Sequence, residues 1–134
     1  MKKIVLTVAA ALLCAVLVAC GSEKTADLTG TWKQTNSGSE DSYQEATISG
    51  DTIEIYWVSD GGDTKSLYWA GTYEAPSEPV DSYSWDSVND KSKTDGALLA
   101  SGDDTKTFAF ENGELSYSAS ALGTTTTVRL EKQQ

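Results

Sequence analysis

From residue 28 onward, apolar and polar residues alternate with a period near two, the spacing that gives a β-strand one buried and one wet face. Segments rich in Thr, Tyr, Trp, Ile and Val are broken about every 8 to 12 residues by Gly, Asp, Asn or Ser, the punctuation of an all-β sandwich or barrel. The pattern predicts strands near 28–35, 43–49, 52–58, 65–73, 81–87, 96–101, 105–111, 114–121 and 124–131. Ser37 to Asp41, Pro76 to Pro79 and Asn89 to Asp95 read as the longer loops. No helical period and no internal repeat follows the apolar N-terminal run.

Turn chemistry sharpens this pattern, because residues facing each other across a hairpin must send apolar side chains to the same side. Gly50-Asp51, with Gly first, suits a type II′ turn and pairs Ile48 with Ile53 and Ala46 with Ile55. Asn112-Gly113 suits type I′ and pairs Phe110 with Leu115 and Phe108 with Tyr117. The connection from Ser59 to Lys65 pairs Trp57 with Leu67, Ile55 with Trp69 and Ile53 with Gly71. Leu122-Gly123 sets Tyr117 against Val128 and Leu115 against Leu130, with Leu122 at an unfavourable positive φ. Eight or nine sequential antiparallel strands twist and curl, and closure removes their exposed edges. The expected fold is therefore all-β: an antiparallel meander closed into a small barrel, its interior filled or narrowly hollow. A two-sheet sandwich is the alternative.

The N-terminus follows other rules. Met1-Lys2-Lys3 is positive, and residues 4–19 form a 16-residue uncharged run broken only by Thr7 and Cys14. A membrane-spanning helix needs about 20 residues. A positive start, a short apolar core and a small residue at its end describe a cleaved signal helix. The run closes on Leu17-Val18-Ala19-Cys20-Gly21-Ser22, which resembles the lipobox of bacterial lipoproteins. That resemblance implies cleavage between Ala19 and Cys20, and a diacylglycerol with palmitate-type chains on the Cys20 sulfur. Each buried acyl methylene contributes about 0.8 kcal/mol, and two or more chains anchor stably. Cys14 leaves with the signal, so no disulfide can form in the mature chain. The organisation predicted is a signal peptide over 1–19, a lipidated tether over 20–27 and a barrel domain over 28–132. The domain is expected outside the cytoplasm, held to the membrane by lipid. An uncleaved N-terminal anchor would place it on the same side.

Charge narrows the partners. The chain carries 10 basic and 20 acidic residues, and losing Lys2 and Lys3 with the signal leaves eight against twenty, a net charge of −12. Such a surface aids solubility, repels nucleic acid and anionic head groups, and favours cationic partners. There is no His, which with Cys20 lipidated excludes Ser–His–Asp and Cys–His catalysis and zinc sites built on His or Cys. Gly61-Gly62 lacks the Lys and helix of a phosphate-cradling loop. Twenty acids offer many pairs for acid–base work, but none falls on the apolar face, and Glu54 points outward by parity. Asp60-Gly61-Gly62-Asp63 and Asp103-Asp104 lack calcium-loop spacing and read as turns. No catalytic centre, metal or cofactor is expected.

Gly30-Thr31-Trp32 opens the first strand and a lone Arg129 stands in the last. With the meander between them, these residues resemble the lipocalins, and the chain resembles small lipocalin-like (calycin-like) lipoproteins of Gram-positive bacteria. The resemblance implies a barrel opened by Gly30 and Trp32, with Arg129 packed over the Trp. The register nevertheless sends Arg129 to the outer wall, opposite Ser116. The mature chain is also shorter than a typical lipocalin, so no roomy cavity is expected.

Trp57 and Trp69 fall on the inner face, which places Tyr56 and Tyr68 across from each other on the outer wall, beside Glu54 and Ala70. Such a pair stabilises a sheet by about 0.2–1 kcal/mol or serves as a contact platform, Tyr being enriched at interfaces. Tyr56, Tyr68 and Glu54 are the candidate partner-facing residues. The function expected is that of a monomeric, non-catalytic binding module at the cell envelope. Trp32, Trp57, Trp69, Phe108, Phe110 and Tyr117 suffice to fill a small interior, which favours a macromolecular partner over a small apolar ligand carried inside. Capture of a cationic protein, for example as a lysozyme inhibitor, is the sharper alternative, resting on charge and architecture. A structural or phage-exclusion factor acting on a membrane neighbour is a third class.

Overall fold

Eight of the nine expected strands form in a computed structural model, which describes residues 27–78, 81–121 and 123–134. They are β1 (Gly30–Gln34), β2 (Tyr43–Ser49), β3 (Thr52–Ser59), β4 (Thr64–Thr72), β5 (Ser82–Val88), β6 (Thr105–Glu111), β7 (Glu114–Ala121) and β8 (Thr124–Lys132). A four-residue helix, α1 (Lys91–Thr94), follows β5, and Asp60–Gly62 make a 3-10 turn between β3 and β4. The predicted signal peptide, and Ala19 and Cys20 with it, lie outside the described residues.

All eight strands join one antiparallel sheet in the order β4-β3-β2-β1-β8-β7-β6-β5. Two four-stranded meanders are thus welded through the first strand and the last. The turns act as their chemistry requires. Gly50 takes φ +59 and the pairs Ile48–Ile53 and Ala46–Ile55 form above it. Asn112 and Gly113 both take positive φ, +54 and +79, as a type I′ turn demands, and Phe110 meets Leu115. Tyr117 pairs with Val128 and Leu115 with Leu130.

The inner face is packed with Trp32, Trp69, Phe108, Ile53, Ile55 and Leu115, each fully buried. An aromatic spine crosses it from Tyr83 through Trp85, Phe108, Tyr117 and Tyr68 to Trp57, with successive ring centroids 6.0, 5.1, 5.1, 6.4 and 5.2 Å apart. Contacts at this spacing add roughly 0.5–1.5 kcal/mol each beyond the area they bury.

Three features depart from the sequence expectation. First, 96–101 is not a strand; the chain turns there. Asp90 caps α1 by accepting from the Ser92 N–H at 3.2 Å. The buried Asn89 then gathers the loop: its Nδ2 donates to the Asp103 carbonyl at 2.7 Å, and its Oδ1 accepts from the Thr94 hydroxyl at 2.6 Å. With no facing strand to pair against, Leu98 and Leu99 are left 95% and 54% exposed.

Second, the β3–β4 register slips between Ile55 and Tyr56. Ile55 still meets Trp69, but Tyr56 faces Leu67 and Trp57 faces Ser66. Tyr68 is the extra residue of this bulge, and it turns inward to 2% exposure. The outer pair of Tyr56 with Tyr68 and the pairing of Trp57 with Leu67 therefore do not form.

Third, the sheet curls into a half-barrel that no ladder closes. Where β4 and β5 approach, one isolated bridge joins Gly71 to Asn89. Side chains otherwise take the place of main-chain pairing. Trp85 Nε1 donates to the Thr72 carbonyl at 3.0 Å, Thr72 Oγ1 accepts from the Val88 N–H at 2.9 Å, and Trp69 Nε1 donates to Ser87 Oγ at 3.1 Å. These groups tie the two strands together beside that single bridge.

Antiparallel order gives the half-barrel two unlike ends. The tight turns at 50–51 and 112–113 share one end with Asp27, whose carbonyl accepts from Lys132 Nζ at 2.9 Å. Loops 35–42, 60–63 and 89–104 gather at the other.

Candidate functional site

At the loop end the packed interior gives way to a groove. Two open hollows of about 310 and 460 Å³ adjoin there, sharing Gln34, Trp57 and Thr126 as wall. Each falls within the ligand-pocket scale of roughly 300–1,000 Å³. Gln34 closes β1, Gln44 lies near the start of β2, Trp57 near the end of β3, and Thr126 near the start of β8, and loop residues Asn36, Ser42 and Leu99 complete the wall. Thr126, which lines both hollows, stands six residues from Lys132 along β8; at about 3.3 Å per residue that separates it from the Asp27 end by roughly 20 Å.

The floor is polar. Gln44 is 1% exposed, and its Oε1 accepts from the Tyr117 hydroxyl. Its Nε2 is buried with no hydrogen-bond partner among the described residues. Such an orphaned donor costs about 1–3 kcal/mol. The rim is tied down more thoroughly. Gln34 Oε1 accepts from the Gln44 N–H at 2.9 Å, Gln34 Nε2 donates to Asn36 Oδ1 at 3.0 Å, and Asn36 Nδ2 donates to the Thr127 carbonyl at 2.8 Å. Trp57 stands half-buried in the wall, its Nε1 donating to the Leu99 carbonyl at 3.2 Å and its ring set edge-on to Tyr68.

Behind the spine lies a buried amine. Lys106 is 7% exposed, and its Nζ donates to the Ser118 carbonyl at 2.9 Å. It sits 5.2 Å from the centre of the Tyr68 ring and 5.4 Å from that of Trp69, where a cation is attracted by π-electron density. Burial lowers its pKa, and Asp103, 3.8 Å away, offsets part of that shift. Burial likewise pushes the Tyr68 phenol up to about 12 and the Tyr117 phenol well above its usual value.

The residues singled out by sequence are dispersed. Trp32 is buried and donates from Nε1 to the Leu28 carbonyl at 2.8 Å. Gly30, at φ +127, leaves room for Lys132: a Cβ would lie 2.9 Å from that side chain's Cε. Arg129 lies opposite Ser116, as the register predicts, and pairs with Glu114 at 3.2 Å rather than packing over Trp32. Glu54 and Tyr56 share the outer wall, where Tyr56 donates to Glu54 Oε1 at 3.0 Å and Lys93 of α1 reaches Glu54 Oε2 at 2.8 Å. Together they pin α1 to the wall. The Lys93 hydrogen bond, with help from Tyr56, holds the Glu54 carboxyl below its usual pKa. Tyr68, turned inward by the bulge, is absent from that patch. The sequence signal for the buried polar residues was parity: Gln44 of the groove floor and Lys106 behind the spine hold inward positions in step with Ala46 and Phe108.

No protein-family model, curated protein or solved structure matches this chain. The half-barrel is compatible with a lipocalin-like fold.

Proposed function

We propose that this protein is a non-catalytic binding module, tethered outside the cytoplasm by a lipid on Cys20, that presents its groove end away from the membrane. The observation carrying this reading is the placement of the groove at the end of the sheet opposite Asp27, where the tether joins the fold. A binding site facing outward from a lipid anchor meets envelope components rather than the bilayer beneath it. The filled interior favours a partner held at the groove and loops over a ligand carried inside. Leu98 and Leu99, exposed on the loop beside Trp57, add apolar contact area at the same end. In this reading the half-barrel is lipocalin-like, with the side-chain seam between β4 and β5 standing in for the closing ladder.

The test is photo-crosslinking in intact cells. A crosslinking residue at Leu98 is expected to yield adducts with envelope material, and one at Ser77, on the Asp27 end, none. Cys20→Ala is expected to move the protein from the membrane to the soluble fraction. Adducts from position 77 instead of 98, or a Cys20→Ala protein that stays as firmly membrane-bound as wild type, would overturn the reading.

A further inference from the structure

The walls of the groove carry a chemical pattern of their own. In a chain with 20 acidic and 10 basic residues, no residue lining either hollow is charged. The lining sets amides from Gln34 and Gln44 and the hydroxyl of Thr126 among apolar groups, chief among them the partly exposed ring of Trp57, Leu99 and Val128. The groove floor holds the one buried side-chain polar atom without a partner among the described residues, Gln44 Nε2. Buried polar groups are nearly always satisfied, so an orphaned donor on a residue that lines a hollow marks the place of an acceptor.

Three ligand classes can be weighed against that surface. An ion would find no counter-charge in the walls. A purely apolar ligand would leave Gln44 Nε2 unpaired, and the apolar interior below is already filled. An extended peptide adds to a free strand edge; the sheet's edge strands are β4 and β5, and where β8 runs past the end of β1 the Asn36 side chain already takes the Thr127 carbonyl and the Arg129 N–H that a peptide would need. A neutral sugar ring meets none of these objections. One face is a flat array of C–H groups suited to an indole ring, and the rim carries hydroxyl and ether oxygens that accept and donate without charge.

We infer that the groove binds a neutral saccharide, seated against Trp57 with one of its oxygens accepting from Gln44 Nε2. This rests on the reading that the loop end is the working end, and it names the ligand class for that end. The Trp57 ring is held in place before any ligand arrives, because its N–H is engaged by the Leu99 carbonyl and it meets the Tyr68 ring in a T-shaped contact.

The experiment is calorimetric titration of the full lipidated chain in a detergent without a sugar head group. The probes are the tetramer of N-acetylglucosamine, cellotetraose, the cationic tetramer of glucosamine and the anionic tetramer of galacturonic acid. At least one neutral tetramer is expected to bind in the micromolar to millimolar range, with both charged tetramers at least tenfold weaker. Trp57→Ala is expected to weaken neutral binding at least tenfold while leaving the far-ultraviolet circular dichroism unchanged. Gln44→Met, which removes the donor, should weaken it as well, and Arg129→Gln on the outer wall should leave it intact. Failure of both neutral tetramers at millimolar concentration, equal binding of the charged ones, or undiminished binding by a folded Trp57→Ala protein would overturn the inference. Adducts from position 98 alongside such a failure would leave the proposed function standing and remove the saccharide alone.

Discussion

Gly71 offers the most direct test of how the half-barrel is held shut. It sits where β4 meets the end of β5, bridged to Asn89, and its backbone φ is not in the left-handed region. Space, not conformation, requires glycine there. A Cβ would fall 2.4 Å from Ser87 Oγ, 2.7 Å from Trp69 Nε1 and 2.7 Å from the Val88 carbonyl oxygen. The Ser87 hydroxyl can rotate away only by giving up its hydrogen bond from Trp69, and the Val88 oxygen is backbone and cannot yield alone. Overpacking of this kind costs about 1–3 kcal/mol, and a lost buried hydrogen bond about 1 more. Gly71→Ala is therefore expected to lose about 2–4 kcal/mol in urea unfolding. For a domain near 100 residues that lowers Tm by roughly 10 °C or more. Gly102→Ala, whose Cβ meets nothing within 4 Å, is the control and should stay within about 0.5 kcal/mol of wild type. Amide exchange locates the damage. The N–H groups of Val88 and Asp90, bonded across the seam to Thr72 and Ala70 at 2.9 and 2.7 Å, should lose protection before those of β7 and β8. A Gly71→Ala protein as stable as the control, with seam amides still protected, would refute this account of the closure.

Two predictions concern pH. Lys93 and Tyr56 hold the folded Glu54 carboxyl below its unfolded value of 4.5, so the stability it adds is present above that pH and lost as pH falls through the folded pKa. The pair is partly exposed, with Glu54 at 31% and Lys93 at 50%, so about 0.5 kcal/mol is at stake; Glu54→Gln should flatten the acid limb of a stability profile by that amount, and an unchanged limb would count against the clamp on α1. At the alkaline end the folded Tyr68 phenol keeps its proton to about pH 12 while the unfolded one releases it near 10. Stability should fall across that window by up to ~2.5 kcal/mol, at 1.36 kcal/mol per pH unit, and Tyr68→Phe should remove that part of the decline, leaving the fall due to Tyr117. Urea midpoints between pH 8 and 12 measure it, and wild type and variant declining alike would contradict the inward placement of Tyr68.

Most of the sheet was legible because its determinants are local. Period-two alternation and the residues at 50–51 and 112–113 set strand limits and registers without reference to the rest of the chain. What was hidden depends on partners distant in sequence. The seam needs Gly71 beside Ser87 and Val88, and no pattern within β4 announces that neighbour. The turn at 96–101 is imposed by Asn89, which commits its side chain to Thr94, Ser101 and Asp103 instead of extending a ladder. The bulge left a trace that alternation overrode: Tyr68, Trp69, Ala70 and Gly71 are buried in succession, a run that no one-sided strand contains.

That bulge also accounts for where the groove lies. Were β3 and β4 in register throughout, Tyr68 would stand on the outer wall, and Lys106 would lose the ring nearest its ammonium. Trp57 would face Leu67 and be drawn down onto the core. With one residue added to β4, Trp57 instead faces the small Ser66, and Tyr68 fills the interior beneath it. The indole is left at the rim, supported from below and open above. The unpaired amide in the floor follows from the same displacement. Tyr68 stacks on Tyr117, and Tyr117 sends its hydroxyl to Gln44 Oε1, which leaves the amide nitrogen of Gln44 without a partner below the rim. Bulges re-aim side chains beside functional sites in many sheets. Here a single inserted residue sets both the aromatic wall and the free donor, so a deletion that restored the β3–β4 register should abolish the groove while sparing β6, β7 and β8.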